Sequence, residues 1–183
     1  MNRSLASPAE IVAFWREAGP DKWFAKDEAF DAEFRRRFSD AHEAAARREL
    51  DGWLDTPEGA LALCLLLDQF PRNCFRGTGH AFATDPLARS FAREAIARGH
   101  DQAFEEALRP FFYLPLQHAE NLADQEESLR LFGALTYPDA DRWARHHHAI
   151  IERFGRFPHR NAVLGRETTP AEAAFLEEDG FRG

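Results

Sequence analysis

The sequence predicts an all-α fold, an array of antiparallel helices, and three observations carry that reading. Apolar residues recur at intervals of three and four along most of the chain. No run of five or more residues alternates apolar and polar, and β-branched residues are scarce. Ser-Pro-Ala-Glu at 7–10 and Thr-Pro-Ala-Glu at 169–172 are capping boxes with proline at the first helical position. Short connections between such helices imply a tetratricopeptide-like superhelix or an irregular bundle. No linker or low-complexity stretch interrupts the 183 residues, so residues 1–183 are expected to form a single domain.

Taken in order, the box at Ser7 opens a helix with Ile11, Phe14 and Trp15 on one face. A longer helix is expected from about Asp27 to Leu50, its inner stripe marked by Phe30, Phe34, Phe38 and Ala41. Asp31 with Arg35, Glu33 with Arg37 and Glu43 with Arg47 are four apart on its wet side. Thr56-Pro57-Glu58 starts a helix that is apolar nearly all round, and Pro71 is expected to end it. Asp85-Pro86 opens the next, with Leu87, Phe91, Ala95 and Ile96 inward and Gly99 as its stop. Phe104, Leu108 and Phe111 suggest a short helix that ends around Pro110 to Pro115. Leu122, Leu129, Phe132 and Leu135 mark one more. Residues 139–154 form a strong amphipathic helix with Trp143, His147, Ile150, Ile151 and Phe154 in register, stopped by Gly155. Thr169 caps the last.

Composition narrows the function classes. The formal net charge of −8 argues against nucleic acid or an acidic membrane as a partner held by overall field. The apolar run from Ala60 to Leu67 is far shorter than the roughly 20 residues of a membrane span. Residues 1–7 lack the charged start and hydrophobic stretch of a secretory signal. Cys64 and Cys74 form no CxxC pair and no disulfide framework, so a reducing cytoplasm is the expected location. Seventeen Phe and four Trp make the core largely aromatic.

Only Lys22 and Lys26 of the 23 basic residues are lysines. A guanidinium fork matches phosphate or carboxylate oxygens, so the placing of arginines carries information. The segment from Arg153 to Arg166 holds Arg153, Arg156, Arg160, Arg166 and His159 with no carboxylate inside it. Its glycines and proline put it off regular helix, where binding groups tend to sit. Arg156, His159, Arg160, Asn161 and Arg166 are candidate ligand-binding residues. The alternative is that these arginines pair with acids elsewhere and staple the C-terminal end.

Two further constellations stand out. Asp68-Gln69-Phe70-Pro71-Arg72-Asn73 puts a carboxylate at the C-terminal end of the most apolar helix, where the dipole prefers a cation. Asp68 is therefore a candidate acid–base group or half of an ion pair, and Arg72 and Asn73 candidate ligand-binding residues. Tyr113-Leu114-Pro115-Leu116-Gln117-His118-Ala119-Glu120-Asn121 sets His118, a proton carrier, beside Glu120, with Asp124 one turn on. The Phe-Pro-Arg-Asn of 70–73 returns as Phe157-Pro158-His159-Arg160-Asn161, each after a long helix. His146, His147 and His148 point about 100° apart on a helix, so the tract is not expected to hold a metal, and His147 reads as a satisfied core histidine. No phosphate loop, nucleophile elbow or dinucleotide fingerprint calls for a cofactor.

Taken together, Leu67 to Asn73 with Phe75-Arg76, then Tyr113 to Leu116 with His118 and Glu120, then Arg153 to Arg166 with Thr168-Thr169-Pro170, resemble the mostly bacterial family called domain of unknown function 924. The resemblance covers nearly the whole chain. It implies a helical fold classed with tetratricopeptide-like superhelices and supplies no reaction. Gln117 stands where methionine is expected in the family, and Ala119 where serine is common. The repeat consensus itself is absent.

The reading that unites these features is a concave polar site. Asp68, Arg72, His118, Glu120, Arg156, His159 and Arg160 would converge there on a small anionic ligand, with no metal or cofactor. The alternative is a groove that clamps the carboxylate of a peptide terminus.

Overall fold

The structure, a computed structural model, describes residues 5–178, and among these no strand occurs. In chain order the helices are α1 Pro8–Ala18, α2 Pro20–Trp23, α3 Glu28–Ala46, α4 Pro57–Cys64, α5 Phe70–Cys74, α6 Asp85–Ala97, α7 Pro110–Gln117, α8 Leu122–Phe132, α9 Arg142–Phe154 and α10 Pro170–Glu178. The fold is all-α. The chain forms two compact units, one up to Arg76 together with His80–Pro115, the other Gly77–Gly79 with residues from Leu116 onward.

In the first unit the aromatic residues stack into one core. Phe14 lies 5.1, 5.4 and 5.2 Å from the rings of Phe30, Phe34 and Phe38, which recur every four residues along α3. Trp15 meets Phe34 and, edge-on, Phe111. The reciprocal Ser7–Glu10 box starts α1, and Asp27 caps α3 by accepting from Ala29 and Phe30. α3 ends at Ala46, earlier than the sequence suggests, because Arg48 takes a positive φ of 64° and breaks the helix. Two expected ion pairs also differ. Glu33 pairs with Arg36 rather than Arg37, and Asp31 turns inward to Asn73 and Arg76.

Pro71 does not end the apolar helix. Leu65–Gln69 widens into a π turn in which the Phe70 amide reaches back to the Leu65 carbonyl, and the chain runs on into α5. The wide turn and the proline leave carbonyls without their usual helical donors, and side chains take three of them. His42 Nδ1 lies 2.8 Å from Leu66 O, Thr84 Oγ1 donates to Leu67 O at 2.6 Å, and Arg72 Nη1 donates to Asp68 O at 2.9 Å. The proline is thus accommodated by two neighbouring segments and by one residue of α5 itself.

Pro110 likewise begins a helix where the sequence suggests an end. Residues 106–109 are turns, and α7 runs from Pro110 to Gln117 with Pro115 inside it.

In the second unit α8 packs on α9. Ile150, Ile151, Phe157 and Phe175 form an apolar cluster, with Phe154 and Leu176 against it. Gly155 stops α9 in the left-handed conformation, at φ 69°. Thr169 and Glu172 exchange bonds at the start of α10 as the capping box requires. The inward face of α8 is not the one its leucines mark. Leu122 is exposed and Leu129 half-buried, whereas Asp124, Gln125 and Ser128 are buried with Leu131 and Phe132. Trp143, expected inside, is 56% exposed and stacks under Arg142.

Candidate functional site

Asp68, Arg72 and Asn73 belong to the first unit. His118, Glu120, Arg156, His159, Arg160, Asn161 and Arg166 belong to the second. Each set has its own geometry.

In the first unit Asp68 is 1% exposed, and its carboxylate lies 3.1 Å from Arg72 Nη1. Arg72 also forks onto Asp85, with Nη1–Oδ1 2.8 Å and Nη2–Oδ2 2.9 Å. Gln69 Nε2 donates to Asp68 Oδ2 at 2.6 Å. Asn73 Nδ2 donates to Asp31 Oδ1 at 2.7 Å, and Arg76 Nε donates to Asp31 Oδ2 at 3.0 Å. Arg72 and Arg76 thus tie the widened helix to the residues around it. Tyr113 of the third motif donates to Asp101 Oδ2 at 2.7 Å in the same unit. Burial pushes the Cys64 thiol far up and the Cys74 thiol up to about 11, which makes both poor nucleophiles.

In the second unit the turn 117–121 is a hub. Gln125 Nε2 donates to Gln117 O at 2.6 Å and to Ala119 O at 2.8 Å, gripping the backbone on both sides of His118. Asn121 caps α8 by accepting from the Asp124 amide at 3.1 Å. Glu120 accepts from the Phe157 amide at 2.8 Å and from both terminal nitrogens of Arg166, at 2.6 and 2.9 Å. Arg166 also donates to Asn161 Oδ1 at 3.0 Å and to Phe157 O at 3.1 Å. Burial works to raise the Glu120 pKa, but the Arg166 bond, the Phe157 amide and the charges of Arg160 and Arg166 bring it below the ordinary carboxylate range.

Arg156 is held similarly. Its Nε and Nη2 reach Glu172 at 2.6 and 2.9 Å, and Nη2 donates to Glu167 O at 2.8 Å. Glu172 is pulled down to about 2, chiefly by that bond. Arg153 lies over the rings of Phe154 and Phe175. Arg156 and Arg166 are therefore staples between the loop and carboxylates of the same unit.

Arg160 lies on an aromatic ring. It is 5% exposed, and its guanidinium carbon sits 4.4 Å from the centroid of the buried Phe157 ring. The ring of His147 meets Phe157 edge-on at 5.4 Å and lies 6.1 Å from that of His118. His159 lies 5.7 Å from Phe157, and Asn161 is fully buried. His147 Nδ1 is 2.8 Å from Trp143 O. A carbonyl only accepts, so Nδ1 carries the proton and Nε2 is the acceptor face of a neutral ring. Burial, then the nearby charge of His118, holds the His147 pKa down to about 3.

The polar residues that sequence reasoning missed are Gln125 and Ser128, and His147 in any role beyond the core. The signal lay in α8, where Asp124, Gln125 and Ser128 share one helical face. Among the described residues no group of three His, Cys, Asp or Glu is placed to hold a metal.

A helical protein with arginine and histidines gathered on a buried aromatic ring is the class this geometry defines. The chain belongs to the family described as bacterial protein of unknown function (DUF924), whose sequence profile matches residues 11–180. A solved protein of unknown function from Agrobacterium tumefaciens is 64% identical over 93% of this chain and 97% of its own, with a TM-score of 0.91. No curated protein matches the chain.

Proposed function

We propose that the second unit binds a small anionic molecule at Arg160, with His118 and His147 as its neighbours. The observation that carries this reading is the placement of Arg160 itself. A guanidinium that is 5% exposed, lying on Phe157 beside His147, forms hydrogen bonds to charged groups that are stronger than in water. The neutral His147 supplies an acceptor at the same ring, and His118 a second imidazole. His159 and Asn161 flank Arg160 on its turn, while Glu120, Arg156 and Arg166 hold the loop in shape. The two free, buried thiols agree with a reducing, cytoplasmic location. Among the described residues no helix is long and apolar enough to cross a membrane.

The test is thermal unfolding of the full chain against phosphate, nucleotides and small carboxylates, with Arg160→Gln alongside. Ligand at 100 times its dissociation constant adds about 2.7 kcal/mol, which raises Tm by several degrees. A rise for one anion class that vanishes in Arg160→Gln supports the site. A rise that survives the substitution, or no rise with any anion, defeats it.

One observation favours a peptide carboxylate instead. Lys26, Arg35, Arg36 and Arg76 line an open cleft of about 420 Å³ in the first unit, against only Glu28 and Asp31. Binding of short peptides with a free C-terminus, but not of their C-terminal amides, and loss of that binding in Arg35→Ala would support the cleft.

A further inference from the structure

Three buried side-chain oxygens of the second unit have no hydrogen-bond partner among the described residues: Gln117 Oε1, Gln125 Oε1 and Ser128 Oγ. Gln117 is 4% exposed, and Gln125 and Ser128 are fully buried. Native interiors leave few such atoms, because each costs about 1–3 kcal/mol, so these three call for a partner. Gln125 Nε2 is fixed 2.6 Å from the carbonyl of Gln117 and 2.8 Å from that of Ala119. A flipped carboxamide would set oxygen against two carbonyl oxygens, so Gln125 Oε1 is an acceptor by necessity. Ser128 lies one turn further along the same inward face of α8. His118 sits between the two gripped carbonyls, and its ring lies 6.1 Å from His147, whose Nε2 is also an acceptor. Gln125 Oε1 and His147 Nε2 are thus both acceptors, while Arg160 is a donor with no acceptor atom of its own.

We infer that the small anion of this unit is an acid that carries a hydrogen-bond donor of its own, a hydroxy or amino acid rather than a bare carboxylate or inorganic phosphate. The acid group faces Arg160, and the hydroxyl or amino group donates to Gln117 Oε1 or Ser128 Oγ. This inference rests on the proposed anion site and adds the donor requirement.

Lactate, alanine and propionate share a three-carbon acid skeleton, and the second carbon carries a hydroxyl in lactate, a positively charged ammonium in alanine and only hydrogen in propionate. Their affinities for the full chain, with phosphate as a fourth probe, are measured by calorimetry on wild type, Gln117→Met and Ser128→Ala. Neither substitution removes a hydrogen bond made within the described residues, so both variants keep the Gln125 grip on His118. Lactate or alanine is expected to bind wild type at least about tenfold more tightly than propionate, the worth of one hydrogen bond of about 1.4 kcal/mol. That preference is expected to fall below about threefold in one or both variants. Equal binding of propionate overturns the donor requirement and leaves the anion site standing, with internal water serving the three oxygens. A donor preference undiminished in both variants overturns the assignment to Gln117 and Ser128. Failure of all four probes to bind removes the anion site and this inference together.

Discussion

Glu120→Ala is the perturbation that most directly separates a holding role from a chemical one. The substitution removes two bonds from Arg166, at 2.6 and 2.9 Å, and one from the Phe157 amide, at 2.8 Å. Breaking a buried ion pair by removing one partner costs about 3–5 kcal/mol. The two side chains are 25% and 23% exposed, so solvent screens part of that cost. The amide of fully buried Phe157 also loses its acceptor. The expected loss is about 3 kcal/mol. For a chain of this length each kcal/mol lowers Tm by about 2–4 °C, which gives a fall of roughly 6–12 °C. Glu120→Gln keeps an acceptor for the amide and should lose about half as much. The assay is circular dichroism melting at neutral pH, combined with Arg166→Ala in a double-mutant cycle. A coupling of at least about 1 kcal/mol is expected. The folded pKa of Glu120 lies below its unfolded value, so its contribution is complete above the ordinary carboxylate range and is lost as pH falls through the folded pKa. An alanine variant melting within about 2 °C of wild type, or a coupling near zero, would refute the reasoning.

Four other outcomes are expected. Glu172 is lowered from 4.5 to about 2, so the Arg156 staple should hold at pH 5 and be lost progressively between about pH 4.5 and 2; proton shifts of Thr169 and Arg156 report it. His147, with a folded pKa of about 3, should show no imidazole shift from pH 8 to 5, and because the unfolded chain takes up that proton first, its burial removes stability at up to about 1.4 kcal/mol per pH unit below pH 6.5. Cys64 and Cys74 should resist a disulfide reagent at pH 8 in the folded chain and react fully in denaturant, whereas fast labelling of Cys74 in the folded state would contradict its burial. Thr84→Val strands the Leu67 carbonyl and should cost about 1–3 kcal/mol in denaturant unfolding, while Thr84→Ser should restore most of the loss.

Much of the helix content is legible in the sequence because it rests on local chemistry. The boxes at Ser7 and Thr169 and the stop at Gly155 need only neighbours in sequence, and all form. The Phe30, Phe34 and Phe38 stripe is likewise set by helical period alone. Pro71 misleads because its cost is met by His42 and Thr84, 29 residues before it and 13 after. α8 misleads because its period carries two faces, and the one marked by Leu122 and Leu129 is not the one that packs, although Phe132 is buried as expected. In the C-terminal loop the reversal of charge is visible in the sequence, but the partners are not. Arg156 finds Glu172 and Arg166 finds Glu120, across 16 and 46 residues. Arg160 finds the ring of Phe157, three residues before it.

The wide turn at Leu65–Gln69 also sets the rotational phase of α5. Each residue of a helix advances its neighbours by about 100°. Drawing the segment into plain α-helix with every residue kept would swing Arg72, Asn73 and Cys74 round by that angle. Arg72 would leave Asp85 and Asn73 would leave Asp31, although composition and caps would barely change. The π turn is an insertion fixed within a helix, and it works as a key that selects which face α5 presents. A one-residue deletion within this turn therefore shortens the segment and keeps the face of α5, whereas a one-residue deletion within α4 would rotate that face by about 100°.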